Sequence, residues 1–143
     1  MSEPEATRTV VENLLQRVGT GSPSEIAGLY AERVTWTLAW PEDEFGGVVP
    51  WIRHRSTRAD VEDHYRTVAE FTVTSEATAE VAAILVDGQD AAVVGALGQT
   101  LRTTGEKYRV EFVLYLTVSD GLITRHHIVE DNLAIRRAFD AAS

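Results

Sequence analysis

The sequence predicts an α+β domain: helices packed on one face of a curved antiparallel sheet, with a cone-shaped cavity between the two layers. Three observations lead there. Helical apolar spacing is confined to the first half, in residues 5–18, 22–30 and 57–68. From about residue 76 the spacing changes to the alternation of strands, and the turn signals Asp87-Gly88, Thr104-Gly105 and Asp120-Gly121 divide that region.

The elements follow in order. Residues 5–18 put Val11, Leu14, Leu15 and Val18 on one helical face, and Gly19 and Gly21 end the run. Ser22-Pro23-Ser24-Glu25 opens a second, short helix: a serine cap, proline in the first turn and glutamate three residues after the cap. Ile26, Leu29 and Tyr30 form its apolar side. Val34, Trp36, Leu38 and Trp40 then alternate with Thr35, Thr37 and Ala39, which predicts a first strand with one strongly apolar face. Pro41 stops it. The segment PEDEFGGVVPWIRHR reads as a loop long enough to be functional; Glu42-Asp43-Glu44 suits a solvated tip, whereas Phe45 and Trp51 need a partner. A third helix starts near Thr57, capped with Asp60, and turns Val61, Tyr65 and Val68 inward with His64 at its edge. Four strands at about 76–86, 90–101, 107–118 and 122–130 form hairpins, and the tail after Asp131 makes a short helical turn through Leu133 and Phe139.

Bulk properties narrow the class of function. At 143 residues the chain reads as one domain, residues 1–143, long enough for a sizeable core. A net charge of −9 argues against nucleic acid or an anionic membrane as partner. Without cysteine there is no disulfide framework, thiolate metal site or thiol nucleophile. No signal-like N-terminus or membrane-length apolar run is present, so the expected location is the cytoplasm.

The element order, with LYAERVTW entering the first strand, FGGV before the third helix and DGLITRHHIVED closing the sheet, resembles the nuclear transport factor 2-like superfamily. Among its branches the resemblance is nearest to the SnoaL-like polyketide cyclases and ketosteroid isomerase-like proteins, and it covers nearly the whole chain. It implies the cystatin-like cone fold, a small apolar metabolite in the cavity, no cofactor, and a homodimer through the sheet. The isomerase mechanism itself is not expected. The positions where ketosteroid isomerases carry a tyrosine and two aspartates fall on Leu14, Leu38 and Leu114. The epoxide hydrolases of this fold need an aspartate where the last strand has Ile128, and their Arg-x-Asp segment has no counterpart in AAVVGALGQ.

What remains for chemistry is GLITRHHIVEDN, with His126, His127, Glu130 and Asp131. Successive strand residues point to opposite faces, so the four divide into two pairs. Strict alternation from Ile123 turns His127 and Asp131 inward. A bulge after the turn, frequent in relatives, turns in His126, Ile128 and Glu130 instead, and this set is favoured because it keeps Arg125 out of the cavity. In either set the two polar groups lie about 13 Å apart, too far for a dyad or a chelating pair. No bound metal is expected. Hairpin pairing would set His126 near Leu114 and Glu130 near Val110.

The expected catalytic residues are therefore His126 to move a proton, with Glu130 or Tyr65 to polarise or orient a carbonyl or hydroxyl. Trp36, Trp40, Phe45, Trp51, Phe112, Leu114 and Ile128 are the expected substrate wall, Trp36 doubling as core. Arg53, His54, Arg55 and Arg58 offer a clamp for a substrate carboxylate. The expected activity is cyclisation, isomerisation or dehydration (a lyase reaction) of a polyketide- or terpenoid-like molecule of secondary metabolism. The alternative is a ligand-binding or dimerisation module of the same fold without catalysis.

Overall fold

The computed structural model describes residues 2–40 and 47–141. Helix α1 spans Glu3–Thr20, capped by the Ser2 hydroxyl, which accepts from the Glu5 N–H. Its inward stripe is Thr7, Val11 and Leu14. Helix α2, Pro23–Ala27, starts with the expected serine cap, Ser22, which accepts from the Glu25 N–H. Helix α3, Arg58–Phe71, has the full capping box: the Asp60 N–H donates to the Thr57 hydroxyl, and the Asp60 carboxylate accepts from the Thr57 N–H.

The five strands are β1 (Tyr30–Leu38), β2 (Thr78–Asp87), β3 (Asp90–Thr100), β4 (Lys107–Ser119) and β5 (Leu122–Glu130). Their order across the sheet is β1-β5-β4-β3-β2. The last four form the antiparallel meander read from the turns. β1 joins it in parallel, beside β5, because the chain must cross over through α3 before the meander begins. At the β4–β5 turn Asp120 and Gly121 have φ of 52° and 79°, the two positive values that a type I′ hairpin needs.

The sheet bends where β2 bulges at Ala82 against β3. Gly95 is required there: a Cβ on it would lie 2.2 Å from the Glu80 carbonyl oxygen. A second bulge sets the register of β5. Thr117 pairs with Arg125 but Val118 with Ile123, so Thr124 is the extra residue. The expected partners of His126 and Glu130 are thereby corrected: His126 faces Leu116, Ile128 faces Leu114, and Glu130 faces Phe112. The tight turn fixes the pairing, and the inserted residue moves it opposite to the assumed direction.

Two apolar clusters fill the space between helices and sheet. One joins α1, α2 and α3 to the sheet through Val11, Leu14, Ile26, Tyr30, Trp36, Val61, Leu114 and Leu116. The other gathers Trp40, Val49, Trp51, Ile52, Tyr108 and Val110 under helix α4, Asn132–Asp140, which contributes Ile135 and Ala138. Leu38 and Leu97 touch both clusters. The tail expected as one helical turn is thus a nine-residue helix with a buried side, capped by the Asp131 carboxylate at the Ala134 N–H. Among the described residues no helix is long and apolar enough to cross a membrane.

Candidate functional site

The bulge at Thr124 decides which side of β5 faces the helices. Ile123, His126, Ile128 and Glu130 turn inward, whereas Arg125 and Val129 are exposed and His127 bonds to Thr37 on the outer face. Opposite them β4 presents Tyr108, Val110, Phe112, Leu114 and Leu116, all buried. Two ionisable groups therefore sit on an otherwise apolar surface, four residues and about 13 Å apart along the strand.

His126 occupies the inner end. It is 3% exposed, and its Nδ1 lies 2.8 Å from the Tyr30 hydroxyl. Its ring stacks on Trp36 at 3.8 Å and 7°. Burial holds its pKa well below the ordinary imidazole value, helped by the neighbouring His64 and His127. The Tyr30 hydroxyl also interacts with the Tyr65 phenol, so the three side chains line up from β5 through β1 to α3. Burial pushes the Tyr65 phenol up to about 12, keeping its proton on.

Glu130 occupies the other end, where β5 passes into α4. Burial raises its carboxyl to about 7, partly offset by the neighbouring Trp40 indole. The Tyr108 phenol is raised by burial and by the nearby Glu130, and it donates to Gln99 Oε1. Phe112 and Ile128 flank the carboxyl as register partner and inward neighbour, and Leu114 pairs with Ile128. Trp51 packs edge-on against Phe139 of α4. Phe45 and the acidic run 42–44 lie outside the described residues.

Two expectations need correction. His64 is turned inward, not set at the helix edge: it contacts Trp36 at 4.8 Å and Tyr65 at 4.9 Å between ring centroids. The stripe Val61, His64, Tyr65 and Val68 follows the i, i+3, i+4, i+7 rule, so the spacing itself takes His64 inward beside Tyr65. Burial and the Arg55 charge push its pKa down to about 3, against an interaction with the Trp51 carbonyl.

The basic run is also not free for a substrate carboxylate. Arg55, 1% exposed, donates from Nη1 to the Asp60 carbonyl (2.6 Å) and Asp63 Oδ2 (3.0 Å), and from Nη2 to the Trp51 carbonyl (3.2 Å). Arg53 pairs with Asp63, and Arg58 with Glu32 and the Tyr30 carbonyl. Arg53 and Arg55 fasten the loop before α3 to its first turns, and Arg58 fastens α3 to β1. Trp36 is core, as expected. Its Nε1, like Arg55 Nε and His64 Nδ1, is buried without a hydrogen-bond partner. Among the described residues no three His, Cys, Asp or Glu side chains are grouped to hold a metal ion.

Tyr30, His64 and Tyr108 were passed over as site residues in the sequence. Tyr108 was open to detection, because it begins the inward alternation that continues through Val110 to Val118.

A family model described as the SnoaL-like domain matches residues 11–126. Among solved structures, a nuclear transport factor 2-like protein from Burkholderia xenovorans LB400 superposes with a TM-score of 0.80 at 18% identity, over 97% of this chain and 99% of that one. A Kribbella flavida protein provisionally assigned as a ketosteroid isomerase gives 0.66 at 25% identity, over 92% and 82%. A Catenulispora acidiphila protein with a ketosteroid isomerase-like fold, solved in complex with trimethylamine, gives 0.71 at 10% identity, over 88% of each chain. None of the curated proteins matches.

Proposed function

The chain belongs to the SnoaL-like domain family of the nuclear transport factor 2-like superfamily, and on that premise we propose that it is a cofactor-independent enzyme that cyclises, isomerises or dehydrates a small apolar metabolite of polyketide or terpenoid type. The observation that carries this reading is the inner face of β5, where Glu130 and His126 are set among leucine, isoleucine and phenylalanine.

Their roles divide by proton affinity. A carboxyl at about 7 is half ionised at neutral pH and suits both removal and return of a proton, so Glu130 is the proton carrier. His126 stays neutral and acts through others. Donating from Nδ1 to Tyr30, it lets Tyr30 donate to Tyr65, which leaves the Tyr65 proton for a ligand oxygen on which negative charge develops. Trp40, Trp51, Phe112, Leu114 and Ile128 supply the apolar wall. The test is turnover by Glu130→Gln and Tyr65→Phe, on a substrate found by native mass spectrometry against a metabolite extract. Unchanged turnover in Glu130→Gln would overturn the reading in favour of a binding module, which the apolar Leu14, Leu38 and Leu114 support.

The homodimer belongs to the same proposal. The outer sheet face exposes Leu85, Val113, Tyr115 and Val129, and an open groove of about 720 Å³ runs past Val113 and Val129. Pairing of two copies through this face predicts that Val113→Glu shifts the species seen by light scattering to a monomer.

A further inference from the structure

The chain from His126 to Tyr65 and the Glu130 carboxyl leave part of the inner wall without a role. β1 and α3 meet at the Trp36 and His64 rings, in contact at 4.8 Å and 59°. Trp36 is 7% exposed, and its Nε1–H has no acceptor. His64 Nδ1 is buried and has no donor. Buried groups of this kind are paired in the great majority of cases, and leaving them unpaired is costly.

The two atoms are complementary. An indole nitrogen only donates. His64 can do either, but the Arg55 guanidinium beside it, fixed by Asp63 and by the Asp60 and Trp51 carbonyls, disfavours a second proton on the ring. The ring lies by the Trp51 carbonyl, and with its one proton on Nε2 the imidazole offers Nδ1 as an acceptor. One donor and one acceptor on touching rings call for a single atom that accepts and donates at once. A carbonyl or carboxylate would set lone pairs against His64 Nδ1, and an ammonium would set protons against Trp36 Nε1. A hydroxyl satisfies both.

We propose that Trp36 and His64 form a hydroxyl-selective subsite, in which an alcohol or phenol oxygen of the ligand accepts from Trp36 Nε1 and donates to His64 Nδ1. This rests on the reading that the space between helices and sheet binds a small apolar molecule, and it adds that the molecule carries a hydroxyl at the end facing α3. Arg55 is a positioning residue here: it keeps the imidazole neutral and does not touch the ligand.

The test uses the full ¹⁵N-labelled chain and two probes of one shape, 2-naphthol and 2-methylnaphthalene. The expected result is 2-naphthol binding at least about tenfold more tightly, with shifts of the Trp36 indole N–H and His64 Nδ1 resonances that 2-methylnaphthalene does not produce. Trp36→Phe and His64→Phe each reduce the preference to about unity. If Trp36→Phe does not fold, His64→Phe alone carries the comparison. Equal affinities, as expected if a water molecule permanently holds both atoms, overturn the subsite and leave the cavity reading standing. So does a preference that survives both substitutions. Binding of neither probe overturns the subsite and the cavity reading together.

Discussion

The two ends of the inner face of β5 differ in what burial does to an ionisable group. His126 and Glu130 share a strand, a face and an apolar neighbourhood, and in both the charged form is penalised. For imidazole the penalty moves the titration away from neutral pH; for a carboxyl it moves the titration onto it. A buried histidine in this fold is therefore a fixed neutral hydrogen-bonding group, and a buried glutamate is a proton carrier. Which residue type looks more catalytic in the sequence is a poor guide, because the environment reverses their usefulness.

The comparison breaks most directly at Glu130. Glu130→Gln is expected to lower turnover about 10²- to 10⁴-fold, read as kcat on the identified substrate. The same substitution should stabilise the protein above neutral pH. The folded carboxyl, at about 7, holds its proton where the unfolded one, near 4.5, has lost it, so stability falls as pH rises from 4.5 to 7. The penalty approaches about 3 kcal/mol above pH 7, and denaturant titration of the two proteins at pH 5 and pH 8 measures it. A variant no more stable than the parent at pH 8 would remove the buried carboxyl from the explanation.

Arg55→Met comes next. It removes hydrogen bonds to two carbonyls and Asp63 in a fully buried setting, for an expected loss of about 3 kcal/mol in urea unfolding. The histidine end gives a slope of the opposite sign from Glu130. His64 and His126 are both held below the unfolded value, so their contribution is complete above about 6.5 and is lost as pH falls below it. For His64 alone the loss reaches about 2–3 kcal/mol by pH 4.5, and a stability profile of His64→Phe should show this acid limb flattened. The smallest effect is a control: Thr57→Ala removes the α3 cap for about 1 kcal/mol and should shift the melting temperature without altering either pH slope.

Much of this was legible in the sequence, and the exceptions have physical causes. Caps, turns and alternation gave α1 to α3, the meander and its hairpins, since each signal is local: Ser22-Pro23, Thr57 with Asp60, Asp120-Gly121. The division of GLITRHHIVEDN into two opposed pairs follows from strand geometry alone. Its register does not, because one inserted residue, Thr124, moves every later pairing and leaves no mark in composition. His64 stands one position from Tyr65, and the inward face of α3 is wide enough to take both. The contact of Tyr30 with His126 and the packing of α4 onto the second apolar cluster depend on tertiary arrangement, which periodicity does not encode.

The parallel pairing of β1 with β5 also bears on the order of events in folding. β2 to β5 close through short turns, whereas β1 pairs with the distant β5, and the Tyr30–His126 bond spans 96 positions of sequence. Chain entropy makes such distant pairings slow to form. The phenol–imidazole contact is then among the last to appear as the protein folds, so its NMR signature would report completion of the native state rather than collapse.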